Sequence, residues 1–249
     1  MSPRRLAQSL REQNWTTISI EFVLLVLGVF LGIQVANWNE DRQLEVRRGA
    51  ALTRLHAESE AAIAYLERRM GVMAGEAELR TEALRRLSDN DWAGADPALM
   101  ARALDSLQYA PAVSPPRGVY DELISTGLYS ELGDPRLRKA VSDYIAQLAY
   151  LERQVDFIRA RLVARNDGRM FDGATPTFYP GERRQIRTAY DFPALSANPA
   201  FVANTVENNA ATIAQVDWTR DLLDKARVMC AEIARIEGKP CTAGEEPRK

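Results

Sequence analysis

The stretch Thr16–Ala36, TTISIEFVLLVLGVFLGIQVA, decides the architecture of this 249-residue chain. Trp15 and Trp38 bracket it, about 34 Å apart on a helix that rises about 1.5 Å per residue. That length matches a hydrocarbon core of about 30 Å with an aromatic residue at each interface. Residues 16–38 are therefore predicted to cross a membrane, leaving residues 1–15 as a short basic tail and 39–241 as a helical domain. A cleaved leader is the competing reading, because Arg4, Arg5 and Arg11 precede the apolar run. It would place Gln34 at the −3 position of the cleavage site, where a small residue is wanted, so an uncleaved anchor is expected.

Within the span, Gly28, Gly32 and Ala36 place small residues every four positions, a spacing that lets two helices approach closely in lipid. Glycine is also common in membrane helices for other reasons, and both readings stand. Glu21 lies seven residues before Gly28, on nearly the same face. An intramembrane carboxylate is costly and usually functional. This one is close enough to the interface to snorkel. Orientation is nearly balanced: three arginines precede the span, and Arg42, Arg47 and Arg48 follow it. The leader-like start and the two cysteines favour a large domain outside the cytoplasm, periplasmic or extracellular.

Residues 20–42, IEFVLLVLGVFLGIQVANWNEDR, resemble the N-terminal signature of a family of uncharacterised bacterial single-pass inner-membrane proteins. The matching positions are Glu21, Leu24, Leu25, Val26, Gly28, Asn37, Trp38, Asn39, Glu40 and Arg42; Ile20 departs from a position often occupied by glycine. Two less specific downstream blocks fit the same pattern: Tyr120, Leu123, Gly127 and Leu128, then Leu137, Arg138, Ala140 and Tyr144. The resemblance leaves out the C-terminal third. It implies a bacterial inner-membrane location and brings no activity, cofactor or catalytic residue.

Composition narrows the function classes. With 32 basic and 34 acidic residues the net charge is −2, so nothing points to nucleic acid. One histidine argues against a His-based metal cluster or a nucleophile–histidine relay. No cofactor is expected, and no spacing singles out a catalytic carboxylate pair, so the chain is not read as an enzyme.

The soluble part reads as all-α, an elongated antiparallel bundle with coiled-coil-like seams. Asp96-Pro97, Asp134-Pro135 and Asn198-Pro199 each pair a capping side chain with proline at the first helical position. Gly127 and Gly238 are candidate helix stops. Helices are predicted over 39–88, 97–109, 119–126, 135–166 and 199–236. The fourth has the clearest seam: Leu137, Val141, Tyr144, Leu148, Leu151, Val155, Ile158 and Leu162, alternating spacings of four and three. In the last helix the expected seam is Val202, Val206, Asn209, Ile213 and Val216, shifting to Leu222, Ala226, Met229, Ile233 and Ile236. Asn209 on that seam is read as fixing register rather than binding a ligand. His56, beside Leu55, is read as a packing or surface residue.

Residues 167–197 are predicted to be irregular, and loops of this length are usually functional or disordered. Phe178, Tyr179, Tyr190 and Phe192 with Arg183, Arg184 and Arg187 make this the first place to expect an anionic or sugar-bearing ligand, or a protein partner. A loop folded over the bundle end is the plainer alternative. Pro111, Pro115 and Pro116 mark a second irregular surface turn. Cys230 and Cys241 either pair, pinning the C-terminal tail, or leave Cys230 as a buried thiol. Residues 242–249 are expected to be disordered.

These features predict a membrane-anchored, oligomeric interaction, scaffold or ligand-sensing protein. Its partners would be the lipid bilayer, further copies of itself and a membrane or periplasmic protein. An accessory subunit of an ion-driven transport machine that uses Glu21 is the alternative.

Overall fold

The computed structural model describes residues 15–107, 110–165, 173–178, 180 and 186–242. Its order is α1 (Trp15–Asp89), α2 (Pro97–Ser106), α3 (Gly118–Ser125), α4 (Pro135–Arg165), β1 (Ala174–Phe178), β2 (Ile186–Tyr190), α5 (Phe192–Ser196) and α6 (Pro199–Glu237). Helices make up 79 % of it, and the fold is all-α. The chain divides into two units, residues 1–51 and 52–249.

The three Asx-Pro signals work as expected. Asp96 accepts from Ala98 N and Leu99 N, Asp134 from Arg136 N and Leu137 N, and Asn198 from Ala200 N and Phe201 N. Each satisfies two amides that the first turn leaves unpaired. At the far end of α6, Gly238 takes a left-handed conformation (φ 69°) and its amide closes on Ala234 O at 2.8 Å. That turn is strained for a residue with a Cβ.

In the second unit the chain runs up, down, up and down. Asp134 pairs with Arg235, Gln147 Nε2 donates to Trp218 O, and Arg161 pairs with Glu207, so α4 and α6 are antiparallel. Thr53 bonds Glu237 and Glu67 bonds Arg227, so α1 is also antiparallel to α6. The remaining leg comprises α2, an extended stretch and α3, and its contacts descend α1: Arg80 to Ser106, Tyr65 to Ser114, Glu58 to Val119, Arg54 to Glu122.

Length explains why this leg cannot be one helix. From Arg80 to Glu58, α1 covers about 33 Å, whereas Ser106 to Val119 as a helix would cover only about 20 Å. Proline enforces the extension, because residues before proline avoid the helical region and proline itself donates no hydrogen bond. The stretch containing Pro111, Pro115 and Pro116 is thus a leg of the bundle and not a surface turn. Ala110, Val113 and Pro115 are buried.

An extended leg cannot pair its own backbone, and the neighbouring helices do so. Arg159 Nε donates to Ala110 O at 2.9 Å, Gln215 Nε2 to Pro111 O at 2.8 Å, and Ser114 N to the Tyr65 hydroxyl at 3.0 Å. Glu58 accepts from Val119 N at 2.6 Å and Tyr120 N at 3.1 Å, capping α3 from across the bundle where Arg117 makes no side-chain cap.

All eight seam residues of α4 are buried. The seam expected in the first half of α6 is not: Val206 and Ile213 are 49 % and 47 % exposed, while Thr205, Thr212, Gln215 and Thr219 face the core. The threonine hydroxyls bond carbonyls of their own helix, Phe201 O, Asn209 O and Gln215 O, leaving their methyls to pack. Asn209 is half-buried at the edge of this face, and its Oδ1 has no protein donor.

The stretch read as irregular over 167–197 contains an antiparallel hairpin, with Ala174 opposite Tyr190 and Phe178 opposite Ile186, followed by α5. Five-residue strands carry too little alternation to announce themselves, and Pro176 sits in β1. In a two-stranded ribbon every strand is an edge, so a proline is accommodated.

This packing predicts opposite outcomes for two neighbours on α6. Gln215→Leu should lower unfolding stability by about 1–3 kcal/mol by leaving Pro111 O without its donor. Ile213→Ser should change it by less than about 0.5 kcal/mol. Urea unfolding of the detergent-solubilised chain, followed by helical circular dichroism, separates the two. Equal losses would restore the expected Val206–Ile213 seam.

Candidate functional site

The N-terminal part of α1 is apolar and long enough to cross a membrane, and none of its apolar window is buried among the described residues. Phe22, Leu25, Val29 and Leu31 are all exposed. A Cβ built at Gly28 or Gly32 meets nothing within 4 Å. These two glycines, with Ala36 and the exposed Glu21, therefore border open space. Asn37, Asn39 and Glu40 are exposed beyond them. The Arg42 guanidinium lies 5.8 Å from the centre of the exposed Trp38 ring, one helical turn away, a cation–π pair suited to a membrane interface. Trp15 opens α1.

The candidate binding loop resolves into separate parts. Tyr190 and Phe192 pack on the bundle end. Phe192 stacks on Trp92 at 4.5 Å and lies 6.1 Å from Tyr190. The Tyr190 hydroxyl donates to Asp105 at 2.7 Å, and Trp92 Nε1 donates to the Ser196 hydroxyl at 3.0 Å. These rings flank a core of Leu87, Leu104, Leu195 and Phe201. Gly173 is needed here: at φ 96° a Cβ would lie 3.2 Å from Asp191 O and 3.3 Å from Leu195 Cγ. Phe178, by contrast, is 62 % exposed. Arg187 pairs with Thr177 in the ribbon register. Tyr179, Arg183 and Arg184 lie outside the described residues, as do 243–249.

A groove of about 280 Å³ lies between the extended leg and α4, lined by Ala112, Val113, Ser114, Glu152, Val155, Asp156 and Arg159. Its charges are already balanced, Glu152 by Arg117 at 3.6 Å and Asp156 by Arg159 at 3.5 Å.

The most concentrated polar chemistry is at the other end of the second unit. Cys230 and Cys241 form a disulfide, one of the two arrangements their spacing left open. Gly238 turns the chain back and brings Cys241 beside the fully buried Cys230. Around them, His56 Nδ1 lies 2.7 Å from Glu237 Oε2, and the Thr53 hydroxyl donates to Glu237 Oε1 at 2.6 Å. Glu60 Oε1 accepts from Thr242 N at 2.7 Å and from its hydroxyl at 2.6 Å. His56 is 7 % exposed. It is thus a buried, polar-partnered residue and no surface group.

Burial pushes the Glu237 carboxyl up, but the Thr53 hydroxyl and the His56 ring outweigh it and hold the group below the usual carboxylate range. Glu60 is held down as well, first by the Thr242 hydroxyl and then by its amide. Beyond the candidate cysteine pair, nothing in the sequence pointed to this cluster, because bonded partners such as Thr53 and Glu237 are 184 residues apart. Comparison with protein-family models, curated proteins and solved structures finds no match.

Two outcomes follow from this corner. The disulfide closes a short loop, so the paired replacement Cys230→Ser with Cys241→Ser should lower stability by about 2–3 kcal/mol, read by thermal unfolding. A carboxylate whose folded pKa is depressed stabilises the fold above its unfolded value, and that contribution is lost as pH falls through the folded value. Below about pH 4.5 the wild type should therefore lose stability more steeply than Glu237→Gln, in denaturant titrations repeated across the acid range.

Proposed function

We propose that this protein is a single-pass bacterial inner-membrane protein that self-associates through its membrane helix and presents a helical bundle to a protein partner. One observation carries the reading: the small-residue face of Gly28, Gly32 and Ala36 is open, on a stretch of helix whose apolar window is not buried among the described residues. Such a face gains from close packing against a second helix, because lipid offers no hydrophobic incentive to associate and close contact between small residues supplies it. The resemblance of residues 20–42 to the inner-membrane family supports the location.

The Cys230–Cys241 bond supports an oxidising compartment for the bundle, which is the periplasm when the N-terminal tail is cytoplasmic. The exposed Phe178 at the hairpin is the first surface to test for a partner. No catalytic role is assigned.

Native mass of the full chain, purified from its own membranes in mild detergent, tests the proposal. A discrete homo-oligomer is expected, and Gly28→Leu with Gly32→Leu should convert it to monomer. A wild-type monomer would end the self-association reading. Extra mass from a co-purifying polytopic protein would favour the transport-accessory alternative and make Glu21→Gln the decisive variant.

A further inference from the structure

The disulfide corner holds a second possibility, independent of the membrane reading. The donor atoms of His56, Cys230 and Cys241 all lie within 4.8 Å of one another. We propose that, once the disulfide is reduced, Cys230 Sγ, Cys241 Sγ and His56 Nε2 bind one zinc-like divalent cation, so that the disulfide and the metal are alternative clasps for the same C-terminal turn.

The histidine is prepared for this role. A carboxylate can only accept, so in the neutral ring the nitrogen facing Glu237, Nδ1, carries the proton and Nε2 keeps its lone pair. It is buried and has no protein hydrogen-bond partner. A carboxylate behind one imidazole nitrogen and a free lone pair on the other is the arrangement that orients metal-ligating histidines. A purely structural histidine would leave this buried Nε2 unsatisfied, which is unfavourable.

The remaining geometry fits a tetrahedral ion. Bonds of about 2.3 Å to sulfur and about 2.0 Å to nitrogen place donors about 3.3–3.8 Å apart. Breaking the S–S bond lets the sulfurs separate to that distance, and the imidazole donor already lies within 4.8 Å of both sulfurs. Glu60 Oε1 lies 3.9 Å from Nε2 but already accepts two hydrogen bonds from Thr242, so the fourth position falls to a water molecule. Two thiolates and an imidazole form a donor set that suits zinc better than calcium or magnesium.

The chemistry balances with a dithiol reductant. The reductant closes to its own disulfide and delivers two electrons and two protons, converting the Cys230–Cys241 bond to two thiols. Cation capture then releases both thiol protons.

The test uses the full chain in detergent, reduced with a phosphine, freed of excess reductant without air, and titrated with Co²⁺. One ion per chain should bind, with thiolate-to-metal charge-transfer absorption and the strong visible bands of a tetrahedral site, both bleached by Zn²⁺. The oxidised protein, identical in sequence, should show neither. Cys230→Ser with Cys241→Ser should abolish the charge-transfer band. His56→Gln should weaken binding by about 100-fold or more, and Glu237→Gln, which acts through His56, by about 10-fold. Helical circular dichroism confirms that each variant is folded. A reduced wild type without the charge-transfer band, or an unchanged band and affinity in folded His56→Gln, would overturn the site.

Discussion

An extended backbone inside a helical bundle is the constraint on which much of the second unit depends. A helix satisfies its own amides and carbonyls, so neighbouring helices need offer only apolar surface. The leg carrying Pro111, Pro115 and Pro116 offers no such closure, and each buried carbonyl it leaves open would cost about 1–3 kcal/mol. The prolines remove some of the demand, having no amide to satisfy. Much of the rest is met by side chains of the long helices: Tyr65 and Glu58 from α1, Arg159 from α4 and Gln215 from α6. These residues look like unremarkable polar positions until the leg between them is seen.

The same constraint sets the rotation of α6. Bringing Gln215 inward to Pro111 places Thr205, Thr212 and Thr219 on the core side and turns Val206 and Ile213 outward. A threonine can serve as a core residue when its hydroxyl bonds back to its own helix, because only the methyl is then presented to neighbours. Further along, Leu222, Ala226, Met229 and Ile233 return the helix to an apolar core. The change of face near Val216 therefore marks where a polar core layer gives way to an ordinary one.

What could be read from the chain follows from how local the cause is. The three Asx-Pro caps, the Gly238 stop and the α4 seam depend on residues a few positions apart, and each appears where the spacing placed it. The α6 seam misled because its true partner lies in a different leg, about 100 residues away. The hairpin was hidden by its shortness and by Pro176. Cys230 and Cys241 were visible as a candidate pair, but His56, Glu60 and Glu237 around them were not, since periodicity carries no information on which helix ends meet.

The two units expose different surfaces. In the first, exposed Phe22, Leu25 and Val29 belong to a window apolar enough for lipid, and none of that window is buried among the described residues. In the second, apolar groups are largely withdrawn, and many surface ion pairs, such as Lys139 with Asp143, contribute little individually. Stability there rests on the α4 core, the bonded extended leg and the clasp at the end of α6. The clasp differs from the other two because its strength depends on surroundings outside the fold, namely whether the sulfurs are oxidised. A bundle held by packing alone would be indifferent to its compartment. This one pins its C-terminal tail to its last helix by a bond that the compartment sets, beside the His56–Glu237 contact that joins that helix to α1.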